Sequence, residues 1–236
     1  MKVIGLIGGM SWESTAVYYR RLNEEARRRL GGLNSAEILL RSVDFTRIVE
    51  MQKRGAWSEA AAELAGIARS LVAAGAEMIL ICTNTMHKVA DSVQAAVDVP
   101  VLHIADVTAA AIKARGFYRP LLLATAYTME QPFYRDRLRA AHGLEALVPD
   151  AEGRALTHRV IFDELCQGVV REDSREAFRA LVDQGRKDGA DCVILGCTEI
   201  GLLIGADDVC LPAFDSTILH ADAALDLSLE GRALAA

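Results

Sequence analysis

Gly75-Ala76-Glu77-Met78-Ile79-Leu80-Ile81-Cys82-Thr83-Asn84-Thr85 is a glycine stop, an apolar run and a small polar cluster. The chain repeats the pattern as Gly189-Ala190-Asp191-Cys192-Val193-Ile194-Leu195-Gly196-Cys197-Thr198-Glu199. In each copy Gly-Ala-acid closes a helix, an apolar strand follows, and hydrogen-bonding side chains come after the strand. Position 189 answers 75 and position 197 answers 83, an offset of 114 residues. Downstream, Val99-Pro100 and Leu211-Pro212 recur at an offset of 112. Twice 114 nearly fills a chain of 236 residues, so the sequence predicts two similar halves, residues 1–115 and 116–236. The C-terminal helix is free to cross back to the first half.

The same alternation runs through the rest of the chain. Short apolar runs at Val3–Ile7, Ile38–Val43, Met78–Cys82, Val101–Ile104, Pro120–Ala124, Leu144–Val148, Cys192–Gly196 and Val209–Phe214 read as strands. They are apolar on both faces, as strands of a helix-covered parallel sheet are. Helical stretches open near Ser14, Ser58 and Asp173 and stop at Gly31-Gly32, Gly75 and Gly189. The expected fold is α/β, each half a mainly parallel four-stranded sheet flanked by helices, with the active site in the cleft between the halves.

Composition narrows the function. With 52% hydrophobic residues the chain buries a core and is not disordered. A net charge of −6 and a pI near 5.4 lack the basic footprint that nucleic acid requires. No apolar run approaches the roughly 18 residues of a membrane span. Met1–Gly9 reads as a first strand, without a secretory cleavage site. Five cysteines, none in a C-x-x-C pair, fit neither a disulfide scaffold nor a zinc ribbon, and Cys192 and Cys197 have no partner histidine pair. A reduced, cytoplasmic protein without metal is expected. Cys166, Cys192 and Cys210 read as core thiols.

Ligands of parallel sheets bind beyond the carboxyl ends of strands. Both polar clusters stand at such an end, so Thr83 and Cys197 are expected to approach one small molecule from opposite sides. A thiol and a hydroxyl so placed suit inversion of a carbon acid, which needs a proton removed on one face and returned on the other. Cys197 is the better base, with an ordinary thiol pKa of about 8.5 that a helix N-terminus lowers. Thr83 suits proton donation or positioning of a water. Successive strand side chains alternate in direction, so Cys82 and Thr83 do not both face the site, and the repeat pairs Thr83 with Cys197 and Cys82 with Gly196.

Gly8-Gly9-Met10-Ser11-Trp12-Glu13-Ser14-Thr15, Ser42-Val43-Asp44-Phe45, Cys82-Thr83-Asn84-Thr85-Met86-His87, Leu102-His103-Ile104-Ala105-Asp106, Thr128-Met129-Glu130-Gln131 and Gly196-Cys197-Thr198-Glu199-Ile200 together resemble the aspartate/glutamate racemase family of cofactor-independent amino-acid racemases. Members carry two catalytic cysteines, one before Asn-Thr and one before Thr-Glu. This chain has Thr83 at the first and Cys197 at the second, which resembles the branch with a Thr/Cys pair and a preference for L substrates. The resemblance implies an isomerase, a D-amino acid product, no cofactor and a homodimer. It also brings Met10 and Gln52 into the substrate pocket.

Asn84, Thr85 and Thr198 offer hydrogen bonds to a substrate, and backbone N–H groups at the helix starts after Thr85 and Thr198 offer a carboxylate cradle. The Gly8-Gly9-Met10 loop lets backbone approach a ligand, though its spacing is not a dinucleotide fingerprint. Arg47 is the candidate cation for a distal carboxylate, or else a solvated surface arginine. Where aspartate-specific relatives place a lysine, near Phe162–Gly168, this chain has Cys166, so the resemblance implies a broader substrate range. His87 orients substrate or packs on its helix. His103 and its counterpart Asp215 support the site or are structural. Glu199 assists Cys197 or serves as an N-terminal helix charge. No lysine stands in a pyridoxal-phosphate setting. A hydantoin racemase, a malonate-decarboxylase-type carbanion enzyme and a non-catalytic ligand-binding protein are the alternatives.

Overall fold

The N-terminal apolar run is the hub of the first sheet. In the computed structural model, which describes residues 1–230, β1 (Ile4–Gly8) is buried along its whole length. It pairs in parallel with β2 (Ile38–Ser42) and β3 (Met78–Ile81), and β4 (Val101–Leu102) completes the order β2-β1-β3-β4. Helices α1 (Trp12–Leu30), α2 (Phe45–Arg54), α3 (Trp57–Ala73) and the short α4 (Ala90–Gln94) connect these strands. Ser11 caps α1 by accepting from Ser14 N–H at 3.3 Å, and Asp44 caps α2 by accepting from Thr46 N–H at 3.0 Å.

The second unit begins at α5 (Ile104–Ala114). It continues through β5 (Pro120–Leu123), α6 (Ala126–Glu130), α7 (Pro132–His142), α8 (Ala151–Asp163), α9 (Glu172–Lys187), β6 (Cys192–Leu195), α10 (Ile200–Leu203) and β7 (Ala213–Asp215) to α11 (Ser216–Leu229). Its sheet is parallel with the order β5-β6-β7.

Two expectations change in detail. The strand read at Leu144–Val148 is reduced to a bridge at Leu147 on the outer edge of β5. Leu147 N–H donates to Pro120 O at 2.9 Å and Leu122 N–H donates to Leu147 O at 2.8 Å. The next bond of that ladder needs an N–H at residue 149, which is proline, and pairing stops there. The division of the chain falls after His103 rather than after residue 115: Met1–His103 and the described residues from His220 form one unit, Ile104–Leu219 the other. The reason is the helix face. Ile104, Ala105, Ala109 and Ile112 of α5 share a core with Leu122, Tyr134, Ile194 and Phe214. Ala221, Ala224 and Leu225 pack with Ile4, Leu6, Met78 and Leu80.

The repeat survives at the level of single side chains. In β3, Ile79 and Ile81 enter one core and Met78, Leu80 and the following Cys82 enter the other. In β6, Val193, Leu195 and the following Cys197 share one core, with Cys192 and Ile194 in the other. A Cβ at Gly196 would lie 2.8 Å from Leu122 Cδ1, on that second face. The offset of 114 therefore preserves which face each residue serves.

Candidate active site

In an open parallel sheet the ligand crevice opens where strand order reverses, outside the carboxyl ends. In the first unit that point lies between β1 and β3, whose ends are Gly8–Ser11 and Cys82–Asn84. In the second, where the Leu147 bridge lies on the other side of β5, it falls between β5 and β6, whose ends carry Thr125 and Gly196–Glu199.

At the first crevice Cys82 and Thr83 part company. Cys82 is fully buried, and burial pushes its thiol far above the ordinary range, so it stays protonated and packs as a small hydrophobe. Thr83 is half-buried. Cys82 N–H donates to Ile7 O at 3.0 Å, and Thr83 N–H turns back to Ile81 O at 2.8 Å. Asn84, Thr85 and His87 are buried, and His87 Nδ1 lies 2.8 Å from Thr83 O. Met10 and Gln52 are also buried, with Gln52 Nε2 3.3 Å from Met86 Sδ.

The glycine loop serves the protein's own packing. At Gly9, φ is 87° and a Cβ would sit 2.3 Å from Val43 O; at Gly8 it would sit 2.5 Å from Thr15 Cγ2. The end of β2 and α1 thus approach too closely for any side chain at these two positions. Arg47 is exposed and pairs with Glu63 at 3.2 Å, beside Arg41 and Asp44, so it belongs to the surface.

At the second crevice Cys197 Sγ donates to Glu199 Oε2 at 2.9 Å, and Thr198 Oγ1 donates to the same oxygen at 2.6 Å. All three residues are buried. The thiol is raised well above its ordinary value, first by burial and then by the Glu199 charge, with Cys166 adding to it. This overturns the expected lowering by a helix N-terminus. The helix after Thr198 is the four-residue α10, and a five-residue 3-10 turn, Thr85–Val89, follows Asn84. Such short elements carry little macrodipole, and the adjacent carboxylate outweighs it.

Other assignments resolve in the same way. Asp215 accepts from Thr217 N–H at 2.8 Å and Ile218 N–H at 3.2 Å, so it caps α11. Cys192 is buried, Cys166 is half-buried, and Cys210 is exposed rather than in the core, in the bend that follows a short turn at Ala206–Asp208. Among the described residues no group of three or more His, Cys, Asp or Glu is placed to hold a metal, and no helix is long and apolar enough to cross a membrane. The sequence reading missed Ser11 and Thr125 as crevice residues. Thr125 Oγ1 lies 3.3 Å from Thr128 Oγ1, and extending the repeat from β1 to β5 points to it.

The pattern describing Asp/Glu/Hydantoin racemase matches residues 7–224. Among solved structures, an Asp/Glu racemase candidate from Yersinia pestis is 51% identical with a TM-score of 0.91, over 98% of this chain and 100% of that one. An aspartate racemase homologue from Pyrococcus horikoshii OT3 is 36% identical with a TM-score of 0.85, over 98% and 100%. The aspartate racemase of Picrophilus torridus, 22% identical with a TM-score of 0.73 over 97% and 94%, shares the fold.

Proposed function

Because the chain belongs to the Asp/Glu/hydantoin racemase family and is a racemase, we propose that it inverts the α-carbon of aspartate, glutamate or a wider set of amino acids, with Thr83 and Cys197 as the proton-transfer pair and no cofactor. The observation that carries this reading is the Cys197–Glu199 hydrogen bond of 2.9 Å between buried side chains, with Thr83 at the corresponding place after β3, 114 residues earlier. The acidic substrates named for the relatives from Yersinia pestis and Pyrococcus horikoshii support the substrate class.

The chemistry follows from where each proton sits. Cys197 rests as a thiol. Glu199 Oε2 accepts its proton as the thiolate forms, so the negative charge moves from carboxylate to sulfur without growing, and the substrate ammonium stabilises it there. The thiolate then takes the α-proton, and the resulting carbanion is protonated on its other face. In the reverse direction the Cys197 thiol donates to the carbanion and Glu199 returns its proton to sulfur. The Thr83 hydroxyl is far less acidic, so it gives its proton to the carbanion while taking one from a water, and the hydroxide so formed is neutralised in solvent by the proton that Glu199 releases, which restores the starting state. A pair with one competent base favours one direction of attack, hence L substrates, while the equilibrium between enantiomers stays at unity.

The test is incubation without added cofactor in D2O with each L- and D-amino acid, following α-proton loss by NMR and inversion by chiral chromatography. Exchange with inversion is expected, faster from L forms, and Cys197→Ser should lose nearly all of it while keeping binding. Full exchange by that variant, or exchange only with hydantoins or malonates, overturns the assignment.

A further inference from the structure

The repeat exposes one asymmetry at the two proton-transfer positions. In the second unit the Cys197 carbonyl accepts from the Ile200 N–H at 3.0 Å, a main-chain bond. In the first unit the Thr83 carbonyl accepts from a side chain, His87 Nδ1 at 2.8 Å. At the offset of 114, His87 corresponds to Gly201, which has no side chain to offer. The sheet does not hold Thr83 either. Its N–H bends back to Ile81 O, and the last ladder bond to β1 belongs to Cys82.

His87 is itself held. It is buried, with its ring 4.6 Å from His103 at 60° and 5.6 Å from His220 at 65°. His220 lies 3.0 Å through Nε2 from the Leu102 carbonyl and 2.8 Å through Nδ1 from Tyr18 Oη. A carbonyl only accepts, so His220 carries its proton on Nε2 and receives the Tyr18 O–H at Nδ1. The same logic places a proton on His87 Nδ1. A buried ring cluster of this kind is costly unless its polar atoms are paired.

We propose that His87 is the positioning residue for Thr83: its Nδ1–H fixes the Thr83 carbonyl where the sheet has let go, and the His103–His220–Tyr18 cluster fixes His87. The inference rests on the Thr83–Cys197 reading of the reaction. His87 touches no reacting atom and acts through the backbone of Thr83.

The experiment compares two amides. His87→Asn keeps an N–H at the place of Nδ1, whereas His87→Gln moves it to the place of Nε2. Thr83→Ala and Cys197→Ser first establish which enantiomer loses α-proton exchange in D2O when each side of the pair is removed. His87→Gln should lower the saturating rate of α-proton exchange about 100-fold for the enantiomer whose exchange Thr83→Ala impairs, a loss of the size that misplaced catalytic groups produce, while inversion falls equally in both directions because the equilibrium constant is one. KM and exchange of the other enantiomer should hold, and His87→Asn should recover most of the loss. Equal loss of α-proton exchange for both enantiomers, or equal damage from both amides, overturns the proposal in an enzyme that is otherwise active. Should the variants not fold, 15N NMR of the wild-type imidazoles decides: Nδ1–H at His87 is expected, and Nε2–H overturns it. A wild type that exchanges no amino acid removes the underlying reading, and this inference with it.

Discussion

Cys197 shows how one neighbour sets a residue's chemistry. Its thiol is held protonated by burial and by the Glu199 carboxylate, which accepts its hydrogen bond. Removing that charge while keeping the shape should favour the thiolate. Glu199→Gln is therefore expected to react with iodoacetamide at lower pH than the wild type, as followed by alkylation rate against pH. An unchanged profile would mean that burial alone sets the thiol. The same variant should turn over more slowly by about 100-fold or more, since the proton leaving sulfur has lost its acceptor. The need for a residue of Cys197's kind was legible from the repeat. Its raised pKa was not, because desolvation depends on what packs around the sulfur, and Cys166 comes from a distant part of the chain.

At the scale of elements, the strand ends decide what fits. Gly9 has positive φ and no room for a Cβ against the Val43 backbone. Gly55 also has positive φ, but nothing lies within 4 Å of its Cβ position. Gly9→Ala should therefore lower stability in urea by more than about 3 kcal/mol, against about 1 kcal/mol for Gly55→Ala. Similar losses would mean that conformation, and not the approach of β2, requires Gly9. The strands and long helices were readable from apolar runs and glycine stops. The shrinking of Leu144–Val148 to a bridge was not, because which N–H the next ladder bond needs, here that of Pro149, depends on the pairing register with β5.

For the whole molecule, the return of the C-terminal helix to the first unit brings His220 beneath β4 and α1. Burial, then the neighbouring His87, lowers its pKa to about 3. An unfolded histidine takes up a proton below about 6.5, while the folded one stays neutral. The unfolded chain thus binds more protons in that window, and stability should fall as pH drops from 6.5 towards 3. Denaturation midpoints across this range should show the fall, and His220→Gln should flatten it; an equal slope in both proteins places the acid lability elsewhere. By itself the sequence determined the α/β class, the duplication, the strand-end positions of Thr83 and Cys197 and the family, since periodicity, glycine stops and motif spacing are local properties of the chain. Only the tertiary structure decided that Cys82 is core, that Arg47 is surface, that Cys197 answers to Glu199 and that Thr83 is held by His87. Those depend on burial and hydrogen-bond geometry, which exist only once separate segments have packed.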